Sequence, residues 1–171
     1  MNPGTNVNND RSMKDITVSV AGRGDSTVQK RITAATVLGK SGNSMAIPSL
    51  IQSLSDQHRK VRLESATALG RLGNGEAIPA LVSALSDPDP EVRAAVIAAI
   101  GRIRDRRATG ALISCLKDKD DRVRIGAANV LGKLGDPCAI KPLADLENDR
   151  FEEVRSAAEE AWNRIRKRHS R

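Results

Sequence analysis

Residues 87–101 read Asp-Pro-Asp-Pro-Glu-Val-Arg-Ala-Ala-Val-Ile-Ala-Ala-Ile-Gly, and the frame of this stretch returns along the whole chain. Aspartates stand at Asp25, Asp56, Asp87, Asp118 and Asp149, 31 residues apart, and six places after each comes an arginine: Arg31, Arg62, Arg93, Arg124 and Arg155. A unit this short cannot bury its own apolar face and must stack on copies of itself. After each Asp the apolar residues recur at helical spacing, as in Val61, Ala66, Leu69 and Leu72, or Val123, Ala128, Leu131 and Leu134. Gly42, Gly73 and Gly135 then supply the left-handed residue that ends a helix. A second, shorter pattern follows through Ala46, Ile47, Leu50, Ile51 and Leu54, and again through Ala77, Ile78, Leu81, Val82 and Leu85. Each unit is therefore two helices.

The punctuation agrees. Asn74 and Asp136 stand where the second helix begins, Pro48 and Pro79 near its first turn, and Asp89 and Pro90 at the start of a first helix. Gly39, Gly70, Gly101 and Gly132 recur inside the first helix, each costing about 1 kcal/mol of helix propensity relative to alanine. Their regular return implies close backbone approach between neighbouring helices. The fold class is an all-α, right-handed α-solenoid of stacked antiparallel helix pairs, with repeats over 25–55, 56–86, 87–117 and 118–148 and a half repeat over 149–171. Unit one is degenerate, with Lys30 and Ser41 where its sisters carry Val and Leu or Ile, so it should open most easily. In unit five Trp162 takes the leucine position and Asn163 the glycine position, which reads as a closing cap. Residues 1–24 read as a flexible segment, rich in Asn over 1–12, with a faint second-helix pattern in 13–21 that could cover the first unit.

The stretch 87–101, together with Leu-Gly-Asn-Gly-Glu-Ala-Ile-Pro-Ala-Leu at 72–81, resembles the short HEAT-like repeat named for phycobilin lyases. The resemblance covers residues 25 to about 166. It implies the solenoid, and a range of roles: bilin lyase subunits, phycobilisome degradation factors, a di-iron protein hydroxylase and scaffolds; designed α-repeat binders are built on a similar consensus. The di-iron branch carries iron on adjacent His-Glu pairs. Here His58 is followed by Arg59 and His169 by Ser170, so those ligands are missing and no metal or other cofactor is expected. No nucleophile or acid–base constellation appears elsewhere, and His58 reads as a polar residue starting a helix.

The composition narrows the means of binding. The chain has 28 Lys and Arg against 21 Asp and Glu, for a net charge of +7, with one Trp, one Phe and no Tyr. Without aromatics, binding has to rest on charge and aliphatic contact. No apolar run approaches a membrane span and the start lacks a signal-peptide pattern, so a cytoplasmic protein is expected. Cys115 and Cys138 stand at non-equivalent places and read as two buried thiols.

Two sets of residues are candidate sites. The column of Arg62, Arg93 and Arg124 with Asp56, Asp87 and Asp118 suits a structural ladder stitching successive turns, since a guanidinium meets a carboxylate with two bonds. The other set is the exposed face of the first helix, which in the proteins this chain resembles lines the concave side. There Ile32, Leu63 and Ile125 give an aliphatic strip and Lys40, Arg71, Arg102, Lys133 and Arg164 a basic rim, joined by the cluster Arg104, Arg106 and Arg107 and by a basic tail. Cations at helix C-termini also complement the macrodipole, which accounts for one charge per unit but not for the cluster. The leading reading is a non-enzymatic protein–protein module that holds an acidic partner in this groove. Nucleic-acid binding is the alternative from the net charge, and a lyase- or chaperone-like subunit handling a tetrapyrrole or its carrier protein is the alternative from the resemblance.

Overall fold

The computed structural model describes residues 28–170. Residues 1–27, with the N-terminal segment, the pattern in 13–21 and Asp25, lie outside the described residues, as does Arg171. Nine α-helices follow in order: α1 (Val28–Ser41), α2 (Ile47–Ser53), α3 (Arg59–Leu72), α4 (Ile78–Ala84), α5 (Pro90–Ile103), α6 (Thr109–Cys115), α7 (Asp121–Leu134), α8 (Ile140–Ala144) and α9 (Glu152–His169). Among the described residues there is no strand. Odd-numbered helices are the first members of each unit and even-numbered ones the second.

Most starts and stops have a local cause. Asp89 accepts from the amides of Glu91 and Val92, Asp120 from Arg122, and His58 caps α3 through Nδ1 and the amide of Lys60. Asn43, Asn74, Asp105 and Asp136 each cap a three-residue 3₁₀ turn that leads into the second helix. At the other end Gly42, Gly73 and Gly135 adopt φ of +68°, +68° and +69°. Unit three has no glycine there: Arg104 takes the left-handed conformation at φ +60°, the only described non-glycine residue to do so.

Successive first helices pack on each other along the whole array, and each second helix packs chiefly on the first helix of the next unit, with a smaller contact to that unit's 3₁₀ turn. The glycine column is what allows the close stack. A Cβ on Gly39 would lie 2.6 Å from the Cβ of Ala68, on Gly70 2.7 Å from the Cα of Ala99, and on Gly132 2.8 Å from the Cα of Ala161. Between α5 and α7 the stack is looser, because Val130 replaces alanine and Gly101 meets its γ-methyl instead of backbone. The first helices form a close layer, and the second helices stand behind it with few contacts between one another. The continuous core lies between the layers, with Leu38, Leu69, Ile100, Leu131, Leu50, Leu81, Leu112 and Leu143 essentially inaccessible.

The Asp and Arg columns meet across units. Arg31, Arg62, Arg93 and Arg124 each direct Nε and Nη2 at the two carboxylate oxygens of the Asp 25 residues on, at 2.6–3.2 Å, reaching Asp56, Asp87, Asp118 and Asp149. The remaining Nη1 of Arg62, Arg93, Arg124 and Arg155 donates to the carbonyl of the Asp six residues before it. The same carboxylates accept from the amide two residues on, at His58, Asp89, Asp120 and Phe151. Arg62, Arg93 and Arg124 thus each close their own loop and hold the next.

One sequence-based expectation needs correcting. Both cysteines are free, but only Cys115 is buried, and burial pushes its thiol up to about 11. Cys138 is exposed because it occupies the middle of a 3₁₀ turn, the place held by Met45, Glu76 and Arg107 in the other units, all exposed.

Candidate partner-binding groove

All first helices run in one direction, so equivalent residues line up as columns. Lys40, Arg71, Arg102, Lys133 and Arg164 form one such line and all five are exposed. Among the described residues none of them has a carboxylate within ion-pair distance. Two turns back along the helices lie Ile32, Leu63, Ala94 and Ile125, all partly buried, and the exposed Ser156. Leu63, Ala94 and Ile125 pack by one side against the core and leave the other open. Between strip and rim sit Thr36, Thr67, Ala98, Asn129 and Glu160, side chains of small or moderate size that leave the floor shallow.

The opposite rim, at the first-helix N-termini, is different in kind. Arg59 reaches into the next unit to Glu91 at 2.6 Å and Asp89 at 3.4 Å, and Arg122 bonds Asp120 at 3.0 Å. There Arg59 and Arg122 are paired with acids; at the C-terminal rim the five cations of the column are not, among the described residues. Taking the last turn of each first helix and the turn after it (residues 40–45, 71–76, 102–107, 133–138 and 164–169), eleven Lys and Arg face three acids. That edge carries +8, more than the +7 of the whole chain, so everything else together is slightly acidic.

The additional cations of this edge do several jobs. Arg106 spans to the next unit and donates to the carbonyls of Leu134 and Gly135 at 3.2 and 3.4 Å. Arg168 donates to the carbonyl of Lys133 at 3.1 Å, and His169 Nε2 lies 3.0 Å from that of Gly135. Three side chains thus converge on the C-terminal carbonyls of α7, where positive charge offsets the helix dipole. Arg107 is held by Asp105 and by the carbonyl of Gly75, and its hydrogen bonds keep the Asp105 carboxyl below the usual range. Arg166 covers the Trp162 ring at 4.4 Å. Arg104 has none of these partners and is exposed. Sequence spacing could not reveal the ties of Arg106, Arg107 and Arg168, which join residues 28 to 35 apart at no repeat-equivalent place. Arg104 left a signal: alignment of the units puts it on the column of Gly42, Gly73 and Gly135.

Among the described residues no three His, Cys, Asp or Glu side chains gather as metal ligands, and no helix is long and apolar enough to cross a membrane. What remains is a surface with an aliphatic strip, one rim where Arg59 and Arg122 pair with acids, and one basic rim whose five column cations have no carboxylate partner among the described residues.

The sequence matches the profile of HEAT repeats over residues 20–87 and 78–163. The chain belongs to the HEAT-repeat family. No curated protein matches it. Among solved structures this HEAT protein is similar to a chain of the CpcE–CpcF complex of phycocyanin lyase from Nostoc sp. PCC7120, with 27% identity and a TM-score of 0.75. That alignment covers 89% of the HEAT chain described here but only 65% of the other. Two further likenesses concern the fold alone. An engineered protein aligns over 97% of this chain and 85% of its own at 21% identity and a TM-score of 0.61. A designed armadillo repeat protein in complex with the peptide (KR)4 aligns over 93% and 84% at 19% identity and 0.64. As the resemblance implied, the chain is a HEAT-repeat protein similar to a phycocyanin lyase chain, and the all-helical solenoid is shared by all three neighbours.

Proposed function

We propose that this HEAT protein is a non-enzymatic adaptor that holds an acidic segment of a protein partner in the first-helix groove. The observation that carries the reading is the line of five exposed cations without carboxylate partners among the described residues, on the same helices as the half-open side chains of Leu63 and Ile125. Charge that the fold does not neutralise steers and selects an oppositely charged partner, while the aliphatic strip supplies desolvated contact. Neighbouring first helices stand about 8–10 Å apart, so the rim runs a few nanometres, enough for a standard interface.

Reversing Arg71, Arg102 and Lys133 together to Glu should abolish binding of an acidic partner and leave the helical circular dichroism spectrum unchanged. Leu63→Ser with Ile125→Ser should weaken a protein partner while sparing phosphate contacts. A nucleic-acid ligand would reveal itself by affinity that falls steeply with salt, the signature of counterion release. Acids on the opposite rim and the lack of stacking aromatics favour the protein partner over that alternative.

The likeness to a chain of the phycocyanin lyase complex supports a second reading, a subunit that handles a tetrapyrrole or its carrier protein. On this reading the groove would take the acidic face of a carrier or the propionates of the chromophore. Titrating a linear tetrapyrrole into the protein, alone and with a carrier, tests it: an unchanged absorption spectrum in both cases removes it.

A further inference from the structure

Arg104 breaks the local rule of its own column. Where the other units end their first helix with glycine in the left-handed conformation, unit three places an arginine at φ +60°, with its amide still closing the helix on the carbonyl of Ile100 at 3.0 Å. A side chain in that conformation is disfavoured relative to glycine. Strain of this kind persists where surrounding structure imposes it or where the side chain is used. The surroundings offer Arg104 no compensation: it is exposed, and no described carboxylate, carbonyl or ring engages it. Its neighbours differ sharply. Arg106 and Arg107 are tied to carbonyls of adjacent units and to Asp105, whereas Arg102, one turn earlier than the tied pair, is unpaired like Arg104.

We infer that Arg104 is a partner-contact residue, an extension of the basic rim at unit three that recognises a carboxylate on the acidic segment as it leaves the groove across this turn. The inference rests on the groove reading and deepens it. The geometry separates the four arginines of residues 102–107 into two that hold the turn, Arg106 and Arg107, and two that face the partner, Arg102 and Arg104. A guanidinium suits the task because it presents parallel N–H donors to both oxygens of a carboxylate. The location suits it as well. The net positive charge of the chain lies on this edge, and unit three contributes four of its eleven cations.

The experiment separates strain from charge. The probe is a labelled peptide of alternating glutamate and alanine, long enough to span the five rim cations, with a single-stranded oligonucleotide of matched length beside it. Arg104→Gly relieves the strain and removes the charge, so Tm should rise by about 2–4 °C while peptide affinity falls about fivefold. Arg104→Ala keeps the strain and loses the charge, so affinity should fall equally with little change in Tm. Arg104→Lys should keep most of the affinity. A lower Tm for Arg104→Gly would show that the side chain stabilises the turn and would overturn the inference, as would unaltered peptide affinity in Arg104→Ala. If Arg104→Ala has no effect but the Arg71, Arg102 and Lys133 reversal abolishes peptide binding, the groove reading stands and only this inference fails. If the wild-type chain does not bind the peptide, both fail. Tighter binding of the oligonucleotide, lost in Arg104→Ala, would overturn the assignment of a carboxylate ligand in favour of phosphate.

Discussion

Two columns of cations run along the same five helices, nine residues apart, and they have opposite surroundings. Arg31, Arg93 and Arg124 are almost wholly buried and Arg62 nearly so, each gripping a carboxylate of the next unit with two bonds and, for the latter three, a carbonyl of its own. Lys40, Arg71, Arg102, Lys133 and Arg164 are exposed and engage no carboxylate among the described residues. A repeated charge is therefore not one kind of evidence. Where it recurs opposite an acid of fixed register it serves the fold, and Arg is used without exception because only a guanidinium makes the paired bonds. Where it recurs without a counter-charge, Lys and Arg alternate freely, and the charge is available to something outside the chain.

Replacing one member of each column tests the distinction most strongly. Arg93→Ala leaves the Asp118 carboxylate without its guanidinium and the carbonyls of Asp87 and Pro88 without their donor. Loss of one partner of a largely buried pair costs about 3–5 kcal/mol, or roughly 10 °C in Tm for a chain of this size. Arg102→Ala removes an exposed side chain with no partner and should stay within about 0.5 kcal/mol of wild type. Thermal melts followed at 222 nm decide the matter, and similar losses in the two variants would erase the contrast.

Acid should act on the first column and not on the second. Arg124, through its hydrogen bonds, holds the Asp149 carboxyl below its ordinary value against some opposing burial. For Asp118 burial pulls upward, but the hydrogen bonds and charge of Arg93 and the amide of Asp120 outweigh it, so this carboxyl also lies below the ordinary value. A carboxyl whose folded value is depressed contributes stability that is fully present above its unfolded value, near 3.8, and is lost as pH falls through the folded value. Stability should therefore hold down to about pH 4 and decline below it, the unfolded chain binding the extra protons. The decline should be smaller in Arg93→Ala, where Asp118 has already lost the partner that depresses it. The effect should be less than that of deleting the arginine, because a protonated carboxyl still accepts hydrogen bonds. Urea melts across that range measure it, and an equal decline in Arg93→Ala would disconnect it from the ladder.

How much of this could be read from the chain alone depends on whether a feature repeats. The helix pairs, the glycine stops and the close approach at Gly39, Gly70 and Gly132 follow from period and spacing, since every unit states the same constraint again. The register of the pairing between one unit's Arg and the next unit's Asp is also implicit, because only a neighbouring copy can present the acid. Features confined to one unit were harder to see. The burial of Ser65, whose hydroxyl has no protein partner where other units place Ala or Val, is invisible without the packing. So is the convergence of Arg106, Arg168 and His169 on the end of α7, which depends on α9 continuing as helix through Arg166, the position at which earlier units turn. Exposure of Cys138 was legible in principle from the exposed character of Glu76 and Arg107 at the same place.

The smallest expected effect concerns the rim column acting on itself. Neighbouring rim cations about 8–10 Å apart repel by roughly 0.5 kcal/mol per pair in water, and salt at 0.1 M, with a screening length of about 10 Å, cuts this to less than half. Four such pairs along five helices make the array about 1 kcal/mol more stable at moderate than at very low ionic strength, a rise of a few degrees in Tm. The ladder should respond less, because its pairs are close and largely shielded from solvent. Replacing Arg102 with Gln breaks the line at its centre and should remove about half of the salt response, whereas removing Arg93 should leave it intact. Melts at a series of salt concentrations, in a chloride buffer that binds neither column specifically, distinguish these outcomes. A Tm that falls with salt would mean that attraction and not repulsion dominates the exposed charges, and that the rim cations find counter-charges within the chain after all.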